Sequence, residues 1–244
     1  MSAEKFYWQG KNFFDQENYE EALKHFQKAL KQDPHHLNSL YGRALSFFKL
    51  SRFDQSIKDF TQLIRQVPDN ATYFSERAVA FHLSGQNEKA ILDFDKAVEL
   101  EPENPYRYSS RAYVRDRMED YQGAVDDYSK AIELDPEDAI AYNNRGLVEE
   151  KLGYAEKAKR SFKRADELNL PKRNDNIDRA GSAADVQTNT PTKNKAPQIE
   201  IESESNPEKP GLKAYMKVIG SVFSSKAGFK EFTSFVGAKF KKEK

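Results

Sequence analysis

The sequence contains no cysteine, which excludes disulfide bonds and thiolate metal sites. It also lacks an excess of charge of one sign: Lys plus Arg and Asp plus Glu both number 39, and this balance argues against a general nucleic-acid-binding protein. No run of about 18 uncharged apolar residues is present. The N-terminus has no uninterrupted apolar core of the kind found in signal peptides. These absences predict a cytoplasmic protein with no membrane-spanning helix.

Groups that carry chemistry are also scarce. The chain has four histidines, and no two of them have the His-x-x-x-His spacing of a helical metal site. His35 and His36 are adjacent, but they follow Asp33-Pro34, where we expect a solvated turn. We find no glycine-rich phosphate loop and no Ser, His and Asp arrangement typical of nucleophilic catalysis. The sequence therefore predicts a protein that is not an enzyme and has no metal site and no cofactor.

An internal repeat of 34 residues extends over the first two thirds of the chain. The dipeptides Asp33-Pro34, Val67-Pro68, Glu101-Pro102 and Asp135-Pro136 recur at this interval. Small residues keep the same register at Gly10, Ala44, Ala78, Ala112 and Gly146, and again at Ala22, Ser56, Ala90, Ala124 and Ala158. Aromatic residues keep it at Phe26, Phe60, Phe94, Tyr128 and Phe162. Five units follow, at residues 3–36, 37–70, 71–104, 105–138 and 139–171.

Each unit has the pattern of two amphipathic helices joined by a short turn. In the first unit the helices are AEKFYWQGKNFFDQ and EEALKHFQKALKQ, and the turn lies at residues 17–19. Small residues allow the paired helices to cross closely, and the proline after the second helix prevents its continuation. Because one helical hairpin cannot bury its apolar stripe alone, several units must stack to form a continuous core. The sequence predicts an all-α fold.

These small, aromatic and proline columns, in one uninterrupted register, resemble those of the tetratricopeptide repeat (TPR) family over residues 3–171. The resemblance implies a right-handed superhelical solenoid of helix-turn-helix repeats, which holds a peptide or partner protein in a concave groove and performs no chemistry. Two features depart from the family pattern. The closing proline of the fifth unit is displaced by one residue to Pro171, and Arg115 and Glu149 stand where earlier units have an aromatic residue.

In this family the first helix of each unit lines the groove. The resemblance therefore implies a groove lined by Tyr7, Trp8, Lys11, Tyr41, Leu45, Phe48, Val79, His82, Tyr113, Asn143 and Asn144. Aromatic side chains on a concave surface are favoured binding anchors, although packing between units is an alternative role for Phe48. One subgroup of the family grips acidic chaperone C-termini with a clamp of Lys, Asn and Arg. The matching positions of the first three units include only one basic residue, Lys11, so we expect no partner of that kind.

Charged residues of opposite sign also recur in register. Arginine occurs on the first helices at Arg43, Arg77, Arg111 and Arg145, and aspartate on the second helices at Asp59, Asp93 and Asp127. An arginine and an aspartate on the two helices of one hairpin can pair, which indicates a ladder of structural ion pairs that sets helix geometry. The alternative is a basic stripe that binds a carboxylate-rich ligand. The first unit lacks the pair and has Gln9 and His25 instead.

The last third of the chain has a different composition. Residues 172–210 contain no aromatic residue and are rich in Asn, Thr, Ser, Pro and Glu, which is typical of a disordered linker. Residues 211–244, which we call the tail, have eight Lys against two Glu and five of the seventeen Phe. Their apolar residues follow helical spacing, which predicts a basic amphipathic helical segment. We expect its contacts to be made by Tyr215, Ile219, Phe223, Phe229, Phe232 and Val236.

Three roles stay open for the tail. It can dock on its own repeats, because a terminal repeat needs a cap and a flexible linker of this length spans roughly 35 Å. It can lie on an anionic membrane, since Lys on one side and Phe on the other is typical of an interfacial helix. It can bind a partner protein.

The sequence thus predicts a non-catalytic adaptor for an unidentified protein or peptide, in which the tail caps or regulates the repeats. A peripheral membrane scaffold is the alternative.

Overall fold

A computed structural model of the chain describes residues 2–169, and within that range it contains ten α-helices and no strand. The first helices of the five units are α1 (Ala3–Asp15), α3 (Leu37–Lys49), α5 (Ala71–Leu83), α7 (Pro105–Arg117) and α9 (Ala139–Lys151). The second helices are α2 (Tyr19–Gln32), α4 (Phe53–Gln66), α6 (Asn87–Leu100), α8 (Tyr121–Leu134) and α10 (Ala155–Asn169). None of these ten helices is both long and apolar enough to cross a membrane.

The linker and the tail lie outside the described residues. The same holds for Pro171 and for the predicted tail contacts Tyr215, Ile219, Phe223, Phe229, Phe232 and Val236. Their predicted disorder and helicity therefore stay predictions.

The 34-residue period of the sequence is also the period of the helices. The first helices begin at residues 3, 37, 71, 105 and 139, and the second helices at residues 19, 53, 87, 121 and 155. The two helices of a unit are joined by a short turn and pack on each other, and each second helix packs on the first helix of the next unit. The predicted all-α solenoid of helix-turn-helix units is confirmed for the part of the chain that the structure describes.

The core follows the columns of small and aromatic residues. Phe26, Phe60, Phe94 and Tyr128, one on each of the second helices α2 to α8, are at most 2% exposed. Ala22, Ala90 and Ala124, on these same helices, are completely buried. The small side chains let neighbouring helices approach, and the aromatic rings fill the space between them. The hydrophobic core therefore continues from unit to unit.

The turn inside each unit is closed by one recurring backbone arrangement. A single residue per turn has a left-handed conformation, at Glu17 (φ 60°), Ser51 (φ 59°), Gly85 (φ 81°), Glu119 (φ 64°) and Gly153 (φ 76°). In the third unit Gln86 N–H donates to the Phe81 carbonyl at 2.8 Å, and Gly85 N–H donates to the His82 carbonyl at 2.9 Å. These two bonds define a Schellman motif, and the same pair closes the other four turns.

Residues other than glycine at these left-handed positions lower stability. We expect Ser51→Gly to raise the free energy of unfolding by about 0.5–1 kcal/mol, because glycine removes the steric cost of a positive φ. Gly85→Ala should lower it by about 1 kcal/mol through backbone conformation alone, since a Cβ added there meets no atom within 4 Å. Urea denaturation of both variants measures the two effects. Equal stability of Ser51→Gly and the wild type would contradict the explanation.

Arg115 and Glu149 stand where the first helices of earlier units have an aromatic residue, and both have polar partners. Arg115 Nη1 lies 3.0 Å from Asp127 Oδ2. Glu149 is buried and accepts a hydrogen bond of 2.7 Å from Ser161 Oγ. In the last two units, hydrogen bonds and ion pairs thus replace an aromatic contact between the helices, and the hairpin geometry is retained.

Candidate functional site

The first helices line the inner side of the solenoid. α1 packs on α3 and α5 packs on α7, whereas no two second helices within the described range make contacts of similar extent. Side chains also connect neighbouring units on this side: Glu4 Oε2 on α1 lies 3.0 Å from Nε2 of His36, the residue before α3, and Asp116 Oδ1 on α7 lies 2.6 Å from Lys151 Nζ on α9. Because the first helices approach one another more closely, the solenoid curves toward them. We call this side of α1, α3, α5, α7 and α9 the inner surface.

Seven of the eleven residues predicted to line the groove have exposed or half-buried side chains, namely Trp8, Lys11, Tyr41, Leu45, Tyr113, Asn143 and Asn144. Trp8 is 45% exposed, and its ring meets that of Tyr7 edge-on with 5.2 Å between the ring centroids. Lys11 Nζ lies 2.6 Å from Asp15 Oδ2. These seven residues stay candidates for contact with a ligand.

The other four predicted groove residues, Tyr7, Phe48, Val79 and His82, are buried. Burial raises the pKa of Tyr7 to about 12 and lowers the pKa of His82, whose Nδ1 lies 2.6 Å from Asn87 Oδ1. Phe48 and Val79 belong to one hydrophobic cluster, so Phe48 packs between units. The groove prediction needs correction at these positions, because each first helix buries one face against its own hairpin and another against the next unit. These four side chains belong to the packed core beneath the inner surface.

The arginine and aspartate columns meet within the second, third and fourth hairpins. The pairs are Arg43–Asp59, Arg77–Asp93 and Arg111–Asp127, each with two N–H···O distances between 2.6 and 2.8 Å. All three aspartates are buried, and burial raises the pKa of Asp59 while the hydrogen bonds from Arg43 oppose that rise. In the first unit, His25 Nδ1 and Gln9 Oε1 lie 3.1 Å apart at the same two positions. Bidentate pairing engages both oxygens of each carboxylate inside the protein.

Arg77, Arg111 and Arg145 of the arginine column also form hydrogen bonds with the preceding unit. The two columns did not predict this contact. The bonds run from Nη1 of Arg77 to Thr61 at 3.0 Å, of Arg111 to Asp95 at 2.7 Å, and of Arg145 to Ser129 at 3.3 Å. The acceptor positions 61, 95 and 129 form a further column with the same 34-residue step. Arg145 has no aspartate in its own hairpin and donates to Ser161 Oγ at 3.2 Å instead. The arginines therefore join successive units.

Glu76, on α5, has an unpaired carboxylate on the inner surface. The side chain is half-buried, and no described residue forms a hydrogen bond or ion pair with it. Burial raises the pKa of Glu76 to about 7, while the charges of Arg107 on α7 and Lys49 on α3 oppose the rise. Arg107 forms no ion pair with Glu76, because its Nε donates to Glu101 at 2.8 Å and its Nη1 donates to Ser75 Oγ at 3.0 Å.

The raised pKa of Glu76 makes stability depend on pH. Because the folded-state pKa lies above the ordinary value, ionisation of Glu76 disfavours the folded state. The protonated carboxyl therefore contributes stability that is fully present below pH 4.5 and is lost as pH rises through about 7. We expect Glu76→Gln to be more stable than the wild type by about 1–2 kcal/mol at pH 8 and equally stable at pH 4. Urea denaturation at the two pH values measures the difference. Glu99→Gln, which alters an exposed carboxylate on α6, is the control for the substitution itself.

The C-terminal end of the described solenoid has an open pocket. Its volume is about 680 Å³. It is lined by Phe162, Ala155, Gly153, Glu150, Asp166, Lys159 and Lys163. Phe162 belongs to the aromatic column but is only half-buried, because no further described unit covers α10. Neither here nor elsewhere in residues 2–169 do three His, Asp or Glu side chains converge in a way that could hold a metal ion.

Five equal helical hairpins with an inner surface made by their first helices define a helical repeat scaffold. Models of the tetratricopeptide repeat match residues 3–36, 41–105 and 139–171, and a model described as TPR repeat matches residues 117–153. The chain belongs to the tetratricopeptide repeat family, as the sequence columns predicted. A scaffold for protein–protein interaction is the general role that this family supports.

Solved structures share the fold at low sequence identity. A crystal structure of MamA is 22% identical, covers 65% of this chain and 93% of its own, and has a TM-score of 0.61. MamA from Desulfovibrio magneticus RS-1 is 17% identical, covers 68% and 94%, and has a TM-score of 0.64. YrrB, a TPR protein with an unusual peptide-binding site, is 19% identical, covers 66% and 82%, and has a TM-score of 0.56. No curated protein sequence matches this chain at a significant level.

Proposed function

We propose that this protein is a cytoplasmic adaptor that binds a peptide segment of a partner protein on its inner surface and performs no catalysis. The observation that carries the proposal is the exposure of Trp8, the single tryptophan of the chain. Its ring meets that of Tyr7 edge-on on α1, one of the first helices, and a large exposed aromatic side chain is a favoured binding anchor.

The far end of the inner surface offers a second apolar anchor. Leu147, on α9, is 47% exposed and shares the 34-residue register of Leu45. Between the two ends, α5 contributes the half-buried carboxylate of Glu76. We infer that a ligand peptide has apolar residues near its two ends and polar or charged residues between them.

Selection of random twelve-residue peptides on the full-length protein tests this function. Trp8→Ala should weaken the selected peptides about 30-fold, the usual loss on truncation of an aromatic anchor. Leu92→Ala is the matched control, because Leu92 is 68% exposed but lies on the second helix α6. Peptides that depend on Leu92 and not on Trp8 would place the binding surface on the opposite side and overturn the proposal.

We also propose that the tail docks on the open end of its own repeats. Residues 2–169 have 25 Lys and Arg against 30 Asp and Glu, whereas the tail has eight Lys against two Glu. The pocket beside Phe162 offers an apolar surface for the Phe residues of the tail, and terminal repeats are stabilised by a cap. A chain ending at Pro210 should then unfold about 4–8 °C below the full chain, which corresponds to about 2 kcal/mol.

Substitutions in the full chain give the control for this truncation. Phe229→Ser combined with Phe232→Ser should reproduce the loss, whereas Ser224→Ala combined with Ser225→Ala should not. Equal melting temperatures of the truncated and full chains would overturn docking on the repeats.

A peripheral membrane scaffold is the second candidate function, and the lysine and phenylalanine pattern of the tail favours it. Co-sedimentation with phosphatidylserine-containing vesicles distinguishes the two roles. Sedimentation of the full chain, but not of the chain ending at Pro210, with release by salt, would assign the tail to the membrane.

A further inference from the structure

We propose that residues 213–225 of the tail dock on the open end of the solenoid as the first helix of a sixth unit, aligned with α9 so that Gly220 corresponds to Gly146. This inference rests on the tail docking proposed above, and it adds the surface that receives the tail and the residues that meet there. The alignment decides which tail residue lies beside Glu150, so it is tested separately from docking itself.

The pocket at the open end corresponds to a surface that α9 covers in the preceding unit. Each residue that lines the pocket has a counterpart 34 positions earlier in the fourth unit. These counterparts are Asp116, Glu119, Tyr121, Val125, Tyr128, Ser129 and Ile132. Their contacts therefore show how a further first helix would lie on α10.

The counterparts other than Glu119 meet α9. The four apolar ones belong to the hydrophobic cluster that contains Val148 of α9. Asp116 Oδ1 lies 2.6 Å from Lys151 Nζ, and Ser129 Oγ accepts a hydrogen bond of 3.3 Å from Arg145. One first helix therefore covers almost the whole surface that corresponds to the pocket.

The side chains of α10 show which first helix fits. Lys159 and Asp166 stand where the preceding second helix has Val125 and Ile132, so this end has two charges in place of aliphatic side chains. Lys163 stands where earlier units have the acceptor of a hydrogen bond from an arginine of the next first helix. An arginine in the usual column would bring two cations together there. The first helix that binds this end should therefore lack that arginine.

Residues 213–225 meet this requirement and keep the columns that pack. In the alignment with α9, Gly220 falls in the small-residue column of the first helices. Met216 and Phe223 fall in columns where earlier units have large apolar residues. Ile219 falls in the arginine column, so no second cation faces Lys163. This part of the tail thus has the apolar residues of a first helix without the arginine that the open end would repel.

A second alignment also satisfies the small-residue column, with Ala227 in correspondence with Gly146. It puts Lys226 in the arginine column, where its charge would repel Lys163. It also puts Gly228 inside the helix, at a position where none of the five units has glycine and where glycine weakens a helix. Both features favour the first alignment.

The alignment predicts where a new ion pair can be introduced. Ser225 aligns with Lys151, and Glu150 of the pocket aligns with Asp116, whose Oδ1 lies 2.6 Å from Lys151 Nζ. Ser225→Lys in the full chain should therefore pair with Glu150 and raise the melting temperature by about 2 °C. The gain should disappear in the Glu150→Gln background. Ser224→Lys is the matched control, because it adds the same charge about 100° away around the helix and should not depend on Glu150.

Cross-linking measures the alignment directly, because the chain has no cysteine of its own. A short bismaleimide should join Glu150→Cys to Ser225→Cys within one chain in about fivefold higher yield than Glu150→Cys to Glu231→Cys. Glu231 lies beside the residue that the second alignment brings to Glu150. Each pair is compared in the folded full chain and in urea, where the two yields should be alike.

Three results would overturn the alignment while docking stands. They are no gain from Ser225→Lys although truncation at Pro210 still destabilises, a gain that persists without Glu150, and a higher cross-linking yield with Glu231→Cys than with Ser225→Cys. Equal melting temperatures of the truncated and full chains would overturn docking itself and, with it, this inference. Peptide selection that depends on Trp8 is a separate readout, so the proposed adaptor function is judged independently of the tail.

Discussion

Replacing Arg77 by alanine is expected to lower the free energy of unfolding by about 3–5 kcal/mol. The guanidinium of Arg77 binds the buried Asp93 carboxylate with distances of 2.7 and 2.8 Å and reaches Thr61 of the preceding unit at 3.0 Å. Alanine would leave the Asp93 carboxylate buried without a partner, and this desolvated charge is the main source of the loss. Thermal and urea denaturation measure the effect.

Two controls distinguish a structural pair from a ligand-binding stripe. Lys96→Ala removes an exposed partner of Glu99 on α6 and should cost less than about 1 kcal/mol. Arg77→Lys keeps the charge but loses the bidentate geometry, so it should fall between alanine and the wild type. In each variant that folds, peptides selected on the wild type should bind with unchanged affinity. An unchanged melting temperature with lost peptide binding would assign the arginine column to the ligand.

Gly42→Val is expected to destabilise the protein by about 2–3 kcal/mol, although valine is a better helix former than glycine. The ring of Phe26 from α2 is wedged between α1 and α3: a Cβ at Gly42 would lie 2.5 Å from its Cζ, and a Cβ at Gly10 would lie 2.7 Å from its Cδ1. Phe26 is 1% exposed, so its ring has no free space into which to move. The two helices would have to separate.

A double-mutant cycle tests this mechanism. Phe26→Leu alone should be destabilising, because it leaves a cavity between the two glycines. In that background Gly42→Val should cost much less than in the wild type, since the smaller side chain makes room for the new methyl groups. Additive effects of the two substitutions, measured by urea denaturation, would show that the close approach of the ring to Gly42 does not matter.

The sequence by itself determined the fold and its period. Five units share one register of small, aromatic and proline residues, because every unit must bury the same stripe against the same kind of neighbour. The positions of the helices follow from that repetition, and the columns indicate that an arginine and an aspartate of one hairpin can pair. Local amphipathic pattern and packing agree at these positions, so the pattern alone predicts them.

Only the tertiary structure decided which side chains of the first helices are accessible. Trp8 and Tyr7 are adjacent in the sequence, yet Trp8 is exposed and Tyr7 is buried, because each first helix packs against two neighbours and helical spacing does not reveal how far either contact extends. The same reason explains Glu76. In the sequence it is an ordinary glutamate among many, and only the packed helices show that its side chain is half-buried and that the donors of Arg107 are engaged by other groups. Burial and pairing depend on residues about 30 positions away in the chain, and no local pattern contains that information.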